Sequence, residues 1–213
     1  MGATTEFDHL VVAAATLEQG EAYLEERLGT RPQRGGKHET MGTHNSLLKL
    51  GAKSFIEVIA VDPEAPAPRL PRWFALDTPA LQSNLQGGPR LIHWVARTAD
   101  IAAARQALGL ESGATRSMTR GGYTWWIAIA PDGALPAGGV LPSLIQWADA
   151  RHPAEGLPDS GLRLLTLAGA HPAPDLVRAP LAALELSAAI KITYGAVPRL
   201  AAMLHTPRGP VVL

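Results

Sequence analysis

The chain has 213 residues, 46% of them hydrophobic and 18% charged, with Lys+Arg and Asp+Glu balanced at 19 each and no cysteine. Such a composition describes a globular chain able to bury a sizeable core, and it excludes disulfide frameworks, thiolate metal sites and cysteine nucleophiles. Zero net charge leaves no electrostatic footprint for nucleic acid or an anionic membrane surface. The start, MGATTEFDHLVV, lacks the basic and apolar regions of a signal peptide, and no run approaches a membrane span, so a cytoplasmic setting is expected.

In chain order, residues 7–13 (FDHLVVA) form an apolar, β-branched run that predicts a strand. Thr16 follows as a helix cap with Glu18 in the first turn; Leu17, Ala22, Tyr23, Leu24 and Leu28 keep helical spacing, and Gly29 ends the pattern. Strand-like runs come next near 34–40, 44–50 and 53–60, broken at Gly42-Thr43 and Gly51-Ala52. Residues 62–71 make a proline-rich linker, with a short helix expected around 72–85. Residues 91–96 (LIHWVA) then repeat the opening strand, histidine included. Asp100 caps a second helix running through Ile101, Ala104 and Leu108 to Gly109, and further strands are expected near 113–120, 123–130 and 142–148. Beyond 161 the pattern predicts a strand over 162–167, a helix over 174–186 and short strands over 190–193 and 211–213.

Both halves therefore read β-α-β-β-β, an internal repeat. Their closing strands match as well, Ser54-Phe55-Ile56-Glu57 against Ser143-Leu144-Ile145-Gln146. The expected division is a first module over 1–62, a linker over 63–89, a second module over 90–153, and a partial third module over 161–213 that lacks the strand histidine. The fold class is α+β, with paired βαβββ modules forming a curved, partly closed mixed sheet around a cavity.

Strand parity places Phe7, His9 and Val11 on one face, Phe55, Glu57 and Ile59 on one face, and likewise Leu91, His93 and Val95, and Leu144, Gln146 and Ala148. If a module's first and last strands are neighbours, His9 and Glu57 lie about 5 Å apart, which suits two ligands on one cation. A carboxylate on the apolar strand SFIEVIA also needs compensation when buried. Four polar groups, His9, Glu57, His93 and Gln146, are expected to converge on one divalent ion, Zn, Ni, Mn or Fe.

These residues carry a resemblance to the vicinal-oxygen-chelate superfamily of glyoxalases, bleomycin-resistance proteins and extradiol dioxygenases. His9 in FDHLVV and Glu57 in FIEVIAVDP resemble its first-module ligands, and His93 in LIHWVA and Gln146 in SLIQWADARHP take the matching second-module places. GGKHETMGTHNSLLKLG and the closing PSLIQW resemble a glyoxalase-like branch, over residues 5–153. The resemblance implies a metal-dependent enzyme acting on a small vicinally oxygenated molecule, with Glu57 as its catalytic base. Lyase, isomerase and dioxygenase outcomes stay open. Gln146 stands where many catalytic relatives have Glu; glutamine ligates but is no base near neutral pH. The alternative is a metal-free protein that sequesters a small molecule.

Other residues are weighed one by one. HETMGTH is not the zinc-protease H-E-x-x-H, because its histidines are six apart and Gly42-Thr43 breaks a helix. His38 and Asn45 flank a turn and are candidate substrate contacts. Of Trp125 and Trp126, on opposite faces of one strand, one lines the cavity; Trp125 is the candidate. Trp94 and Trp147 are expected to point away from the metal. Arg116, with Arg120 near it, is a candidate for an anionic substrate. His152 and His171 sit in proline-rich loops and are expected at the surface. Phosphate-binding loops and serine-hydrolase elbows are missing from the sequence. The expected partner is a small molecule, and a homodimer is open.

Overall fold

A computed structural model describes residues 4–108 and 113–213. The first half contains β1 (Thr5–Ala13), α1 (Leu17–Leu28), β2 (Gln33–His38), β3 (Thr43–Gly51) and β4 (Ser54–Val61). After α2 (Pro79–Leu85), the second half contains β5 (Arg90–Thr98), α3 (Ile101–Leu108), β6 (Ala114–Arg120), β7 (Tyr123–Ile129) and β8 (Ser143–Trp147). These eight strands form one sheet in the order β2-β3-β4-β1-β5-β8-β7-β6. Within each half the first and last strands are parallel neighbours, β1 with β4 and β5 with β8, and the halves join through antiparallel β1 and β5.

Local chemistry accounts for the helix ends. Thr16 accepts from the Gln19 N–H and Gly29 closes α1 in the left-handed region, its N–H returning to the Glu25 carbonyl. Asp100 caps α3 by accepting from the Ala103 N–H at 3.0 Å; the expected stop at Gly109 lies outside the described residues. The helix expected over 72–85 starts only at Pro79. Phe74 and Ala75 before it adopt positive φ of 57° and 56°, which no helix tolerates. The last part forms β9 (Arg163–His171), α4 (Pro174–Ala183), β10 (Lys191–Tyr194), β11 (Arg199–Thr206) and β12 (Gly209–Val212), a second sheet in the order β10-β9-β11-β12. The long strand β11 is absent from the sequence expectation.

Apolar side chains divide between the two faces of the large sheet. Leu10, Val12, Ile56, Val58, Trp94, Ala96 and Leu144 face outward, against α1, α3 and the second sheet. Val11, Ile59, Val95, Trp125, Ile127 and Ile145 face inward, where residues 73–76 of the linker cover them. The sheet curls until its edge strands β2 and β6 approach each other, and Thr40 beside β2 reaches the Met118 sulfur across that seam. Among the described residues no helix is long and apolar enough to cross a membrane.

Candidate active site

Inside the curl is a cavity of about 30 Å³ lined by His9, His38, Phe55, Glu57, Trp73, Phe74, Arg120, Trp125, Ile127, Ile145 and Trp147. Its charged floor begins with a local defect in β1. The pairing of β1 with β5 slips between Phe7 and His9, and such a bulge re-aims a side chain. Asp8, one residue from His9, is thereby fully buried against groups that strict alternation would put on the other face. Its carboxylate accepts from His9 Nδ1 at 2.6 Å, Trp147 Nε1 at 3.0 Å and His152 Nε2 at 3.1 Å. Burial alone raises this carboxyl, but the hydrogen bonds from His152 and His9 and their positive potential outweigh it and hold Asp8 well below the usual carboxylate range.

This network sets the imidazole tautomers. His152 Nδ1 accepts from the Ala154 N–H, so its proton sits on Nε2, toward Asp8. His9 donates its Nδ1–H to Asp8 and stacks on Phe55 at 4.4 Å, leaving Nε2 opposite Glu57 Oε2 at 3.7 Å. Glu57 is held from its other side by Asn45 Nδ2, at 2.5 Å from Oε1. His38 Nε2 lies 3.5 Å from the same amide, and Nδ1 donates to Thr43 Oγ1 at 3.0 Å. Burial, helped by the Arg120 charge, pushes His38 far below the usual histidine range, so it is neutral.

The second half offers no equivalent. His93 Nε2 accepts from the Ser143 N–H at 3.0 Å, with the Ser143 hydroxyl at 2.9 Å, and Nδ1 donates to the Gly139 carbonyl at 3.2 Å. Both ring nitrogens are used, and burial pushes the ring's pKa down to about 3. Strand register explains the asymmetry. Glu57 stands beside Val11, two residues after His9, and Ser143 stands beside Val95, two residues after His93. Ser143, not Gln146, therefore holds the second-module place that corresponds to Glu57. Gln146 is three residues further on, an odd step that turns it to the opposite face. There its Oε1 accepts from the Ile101 N–H at the start of α3.

The expected four-ligand set is thus corrected at two positions: His9 and Glu57 meet, His93 is locked into structural bonds, and Gln146 lies on the helix-covered side. Among the described residues no group of three or more His, Cys, Asp or Glu is placed to hold a metal ion. Two remaining ligands fall short of the three protein groups that an open catalytic site supplies. These residues do not fit the divalent ion that the resemblance implies.

The remaining expectations divide in the same way. His38, Asn45 and Trp125 gather at the cavity, with Trp126 exposed on the opposite face. Arg116 lies instead in an outer groove with Arg69 and Leu70. His152 is corrected from surface to buried, 2% exposed, because Asp8 needs a donor there. Trp147, expected to point away, lines the cavity; Gln146 and Trp147 exchange faces. Asp8, Trp73 and Phe74 escaped sequence reasoning. A bulge leaves no local signature, and the two aromatics sit in a linker without periodicity.

A family model described as a glyoxalase-like domain matches residues 7–185. Among solved structures, a hypothetical protein from Staphylococcus aureus aligns over 92% of this chain and 88% of its own, at 15% identity and a TM-score of 0.64. A mutant of 4-hydroxymandelate synthase from Streptomyces coelicolor aligns over 99% of this chain and 63% of its own, at 13% identity and a TM-score of 0.57. Methylmalonyl-CoA epimerase from Mycobacterium tuberculosis aligns over 68% of this chain and 89% of its own, at 20% identity and a TM-score of 0.41. No protein of curated function matches the chain. At these identities the first two likenesses speak for fold alone.

Proposed function

The chain belongs to the glyoxalase-like domain family and has the vicinal-oxygen-chelate fold, and from that premise we propose that it is an enzyme moving a proton on a small, vicinally oxygenated substrate. The observation that carries this reading is the line Asp8–His9–Glu57, with Asp8 on His9 Nδ1 at 2.6 Å and His9 Nε2 turned toward Glu57 at 3.7 Å. A buried carboxylate on Nδ1 fixes the imidazole's tautomer and stabilises the imidazolium that forms when Nε2 takes a proton. One reacting carbon can sit about 3 Å from both Nε2 and the Glu57 carboxylate. His9 then removes the proton α to a carbonyl, leaving an enediolate, and Glu57 exchanges a proton at the neighbouring oxygen or carbon. Return of the first proton to the adjacent carbon gives isomerisation with no net change in atoms. Aromatic walls keep water away, which strengthens each of these interactions.

The test is hydrogen exchange in deuterated water, read by NMR on small hydroxy-ketones, 2-oxo acids and 2-hydroxy acids. Wild-type protein is expected to put deuterium into the carbon α to the carbonyl of one class. His9→Gln or Glu57→Gln is expected to slow that exchange by about 10²–10⁴-fold, the usual worth of a positioned acid or base. Exchange that is equally fast in both variants sinks the reading. A second reading, a sequestering protein, is favoured by the walls of Phe55, Trp73, Phe74, Trp125 and Trp147. Tight binding without exchange would select it.

A further inference from the structure

The cavity holds two buried donors with nothing to donate to. Trp73 is 3% exposed, yet among the described residues its indole Nε1 has no acceptor, and neither has Arg120 Nε. No carboxylate approaches the Arg120 guanidinium within 4 Å among the described residues; of the other half-buried arginines, Arg72 and Arg97 are ion-paired, whereas Arg105 and Arg116 are not. Leaving such donors dry costs stability, more where charge is involved, so they mark a place where acceptor oxygens belong.

The surrounding backbone makes room for this arginine. Arg120 ends β6 and lies across the seam over Gly35 and Gly36 of β2. A Cβ on Gly35 would come 2.3 Å from Asn45 Oδ1 and 3.2 Å from Arg120 Nη1, and one on Gly36 would come 3.1 Å from Arg120 Cγ. Asn45 Oδ1 is itself buried without a partner among the described residues. Arg120 also lines a second, outer groove of about 380 Å³ with Lys37, Thr40, Gly121, Gly122 and Tyr123. It therefore stands at the neck between an inner chamber with room for about two waters and a groove that takes the rest of a small molecule.

We propose that Arg120 is the anchor for the carboxylate of a small 2-oxygenated acid, held at this neck so that its oxygenated carbon faces His9 and Glu57. The planar guanidinium fork matches a carboxylate, and such charge-assisted bonds are about twice as strong as neutral ones. The Trp73 N–H is the second donor available to the substrate's oxygens in the same chamber. Lys37, whose ammonium is already shared by Asp62 and Glu64, adds little charge. The orientation of the acid rests on the proton-transfer reading; the anchor does not.

The experiment is a ligand-observed NMR titration of full-length protein with lactate, pyruvate and the neutral lactamide. Lactate and pyruvate are expected to bind at least about tenfold more tightly than lactamide, and Arg120→Met to erase that preference. Exchange and binding are read on the same wild-type protein, so carboxylate-selective binding without deuterium exchange fails the chemistry and leaves the anchor standing. Equal affinity for lactate and lactamide, unchanged lactate binding in Arg120→Met, or no carboxylate binding to the wild type would each overturn the proposal. Should Arg120→Met not fold, the lactate–lactamide contrast on the wild type decides alone.

Discussion

The two halves of the large sheet put a histidine at the same point of the same strand and use it in opposite ways. In the first half, His9 presents Nε2 to a carboxylate across the cavity, with a second carboxylate behind it. In the second, His93 spends both nitrogens on Ser143 and the Gly139 carbonyl and is fully buried. The rings are chemically identical; the residue beside the next inward position of the strand differs, Glu57 in one half and Ser143 in the other. A repeated histidine is thus no sign of a repeated role. What the neighbouring parallel strand supplies decides whether the ring reacts or braces.

The most severe way to break this comparison is to remove each ring in turn. His93→Ala leaves the Ser143 N–H and the Gly139 carbonyl without partners in a sealed interior and opens a void. The expected loss is about 3–5 kcal/mol in urea unfolding at neutral pH. His9→Ala is expected to cost less than half of that. Asp8 keeps Trp147 and His152 as donors, and the space left opens onto the existing cavity. Equal losses in the two variants would mean that His9 braces the fold just as His93 does.

Acid sharpens the contrast at a smaller scale. His93, with its pKa pushed down to about 3, stays neutral in the folded chain at pH values where the unfolded chain takes up a proton. The native state then binds fewer protons than the unfolded one, so stability falls as pH drops below about 6.5 and levels off below about 3. Between pH 6.5 and 5 this single ring is expected to remove about 2 kcal/mol, at 1.36 kcal/mol per pH unit. His38, also held neutral by burial, acts in the same direction. Asp8, held ionised, adds its loss only at lower pH, below the unfolded carboxyl value near 4. Unfolding free energies measured across this range in wild type and His93→Gln check the slope. A flat profile in the wild type would contradict the neutral, buried state of both rings.

Much of this architecture was legible in the residues. Thr16 and Gly29 announced α1, and the paired FDHLVVA and LIHWVA strands announced the two halves. His9 and Glu57 meet as parity predicts because the register of β1 with β4 runs unbroken from His9 onward, past the bulge. Gln146 failed for a definite reason. SLIQW is apolar enough to serve either face, and its register depends on pairing with β5, which no local pattern records. Asp8 failed because a one-residue bulge reverses parity without any mark in the sequence. The proline-rich surroundings of His152 point to the surface, whereas its burial comes from a partner 144 residues away. Trp73 and Phe74 reach the cavity from a linker whose consecutive positive φ values lie outside any periodic signal.

The smallest effect falls on Ser143 and isolates the bracing role most cleanly. Ser143 meets His93 twice, through its backbone N–H at 3.0 Å and its hydroxyl at 2.9 Å. Ser143→Ala removes only the hydroxyl, so the N–H still satisfies Nε2 and the ring keeps its tautomer. A single neutral hydrogen bond of this kind is worth about 1 kcal/mol, and that is the expected drop in unfolding free energy. Because Ser143 belongs to the locked half, the same variant is expected to exchange substrate deuterium at the wild-type rate. A loss of exchange with little loss of stability would return the second half to the chemistry and make His93 and Ser143 a reacting pair like His9 and Glu57. Retained exchange with a loss near 1 kcal/mol would leave the cavity's reactivity with the Asp8–His9–Glu57 line alone.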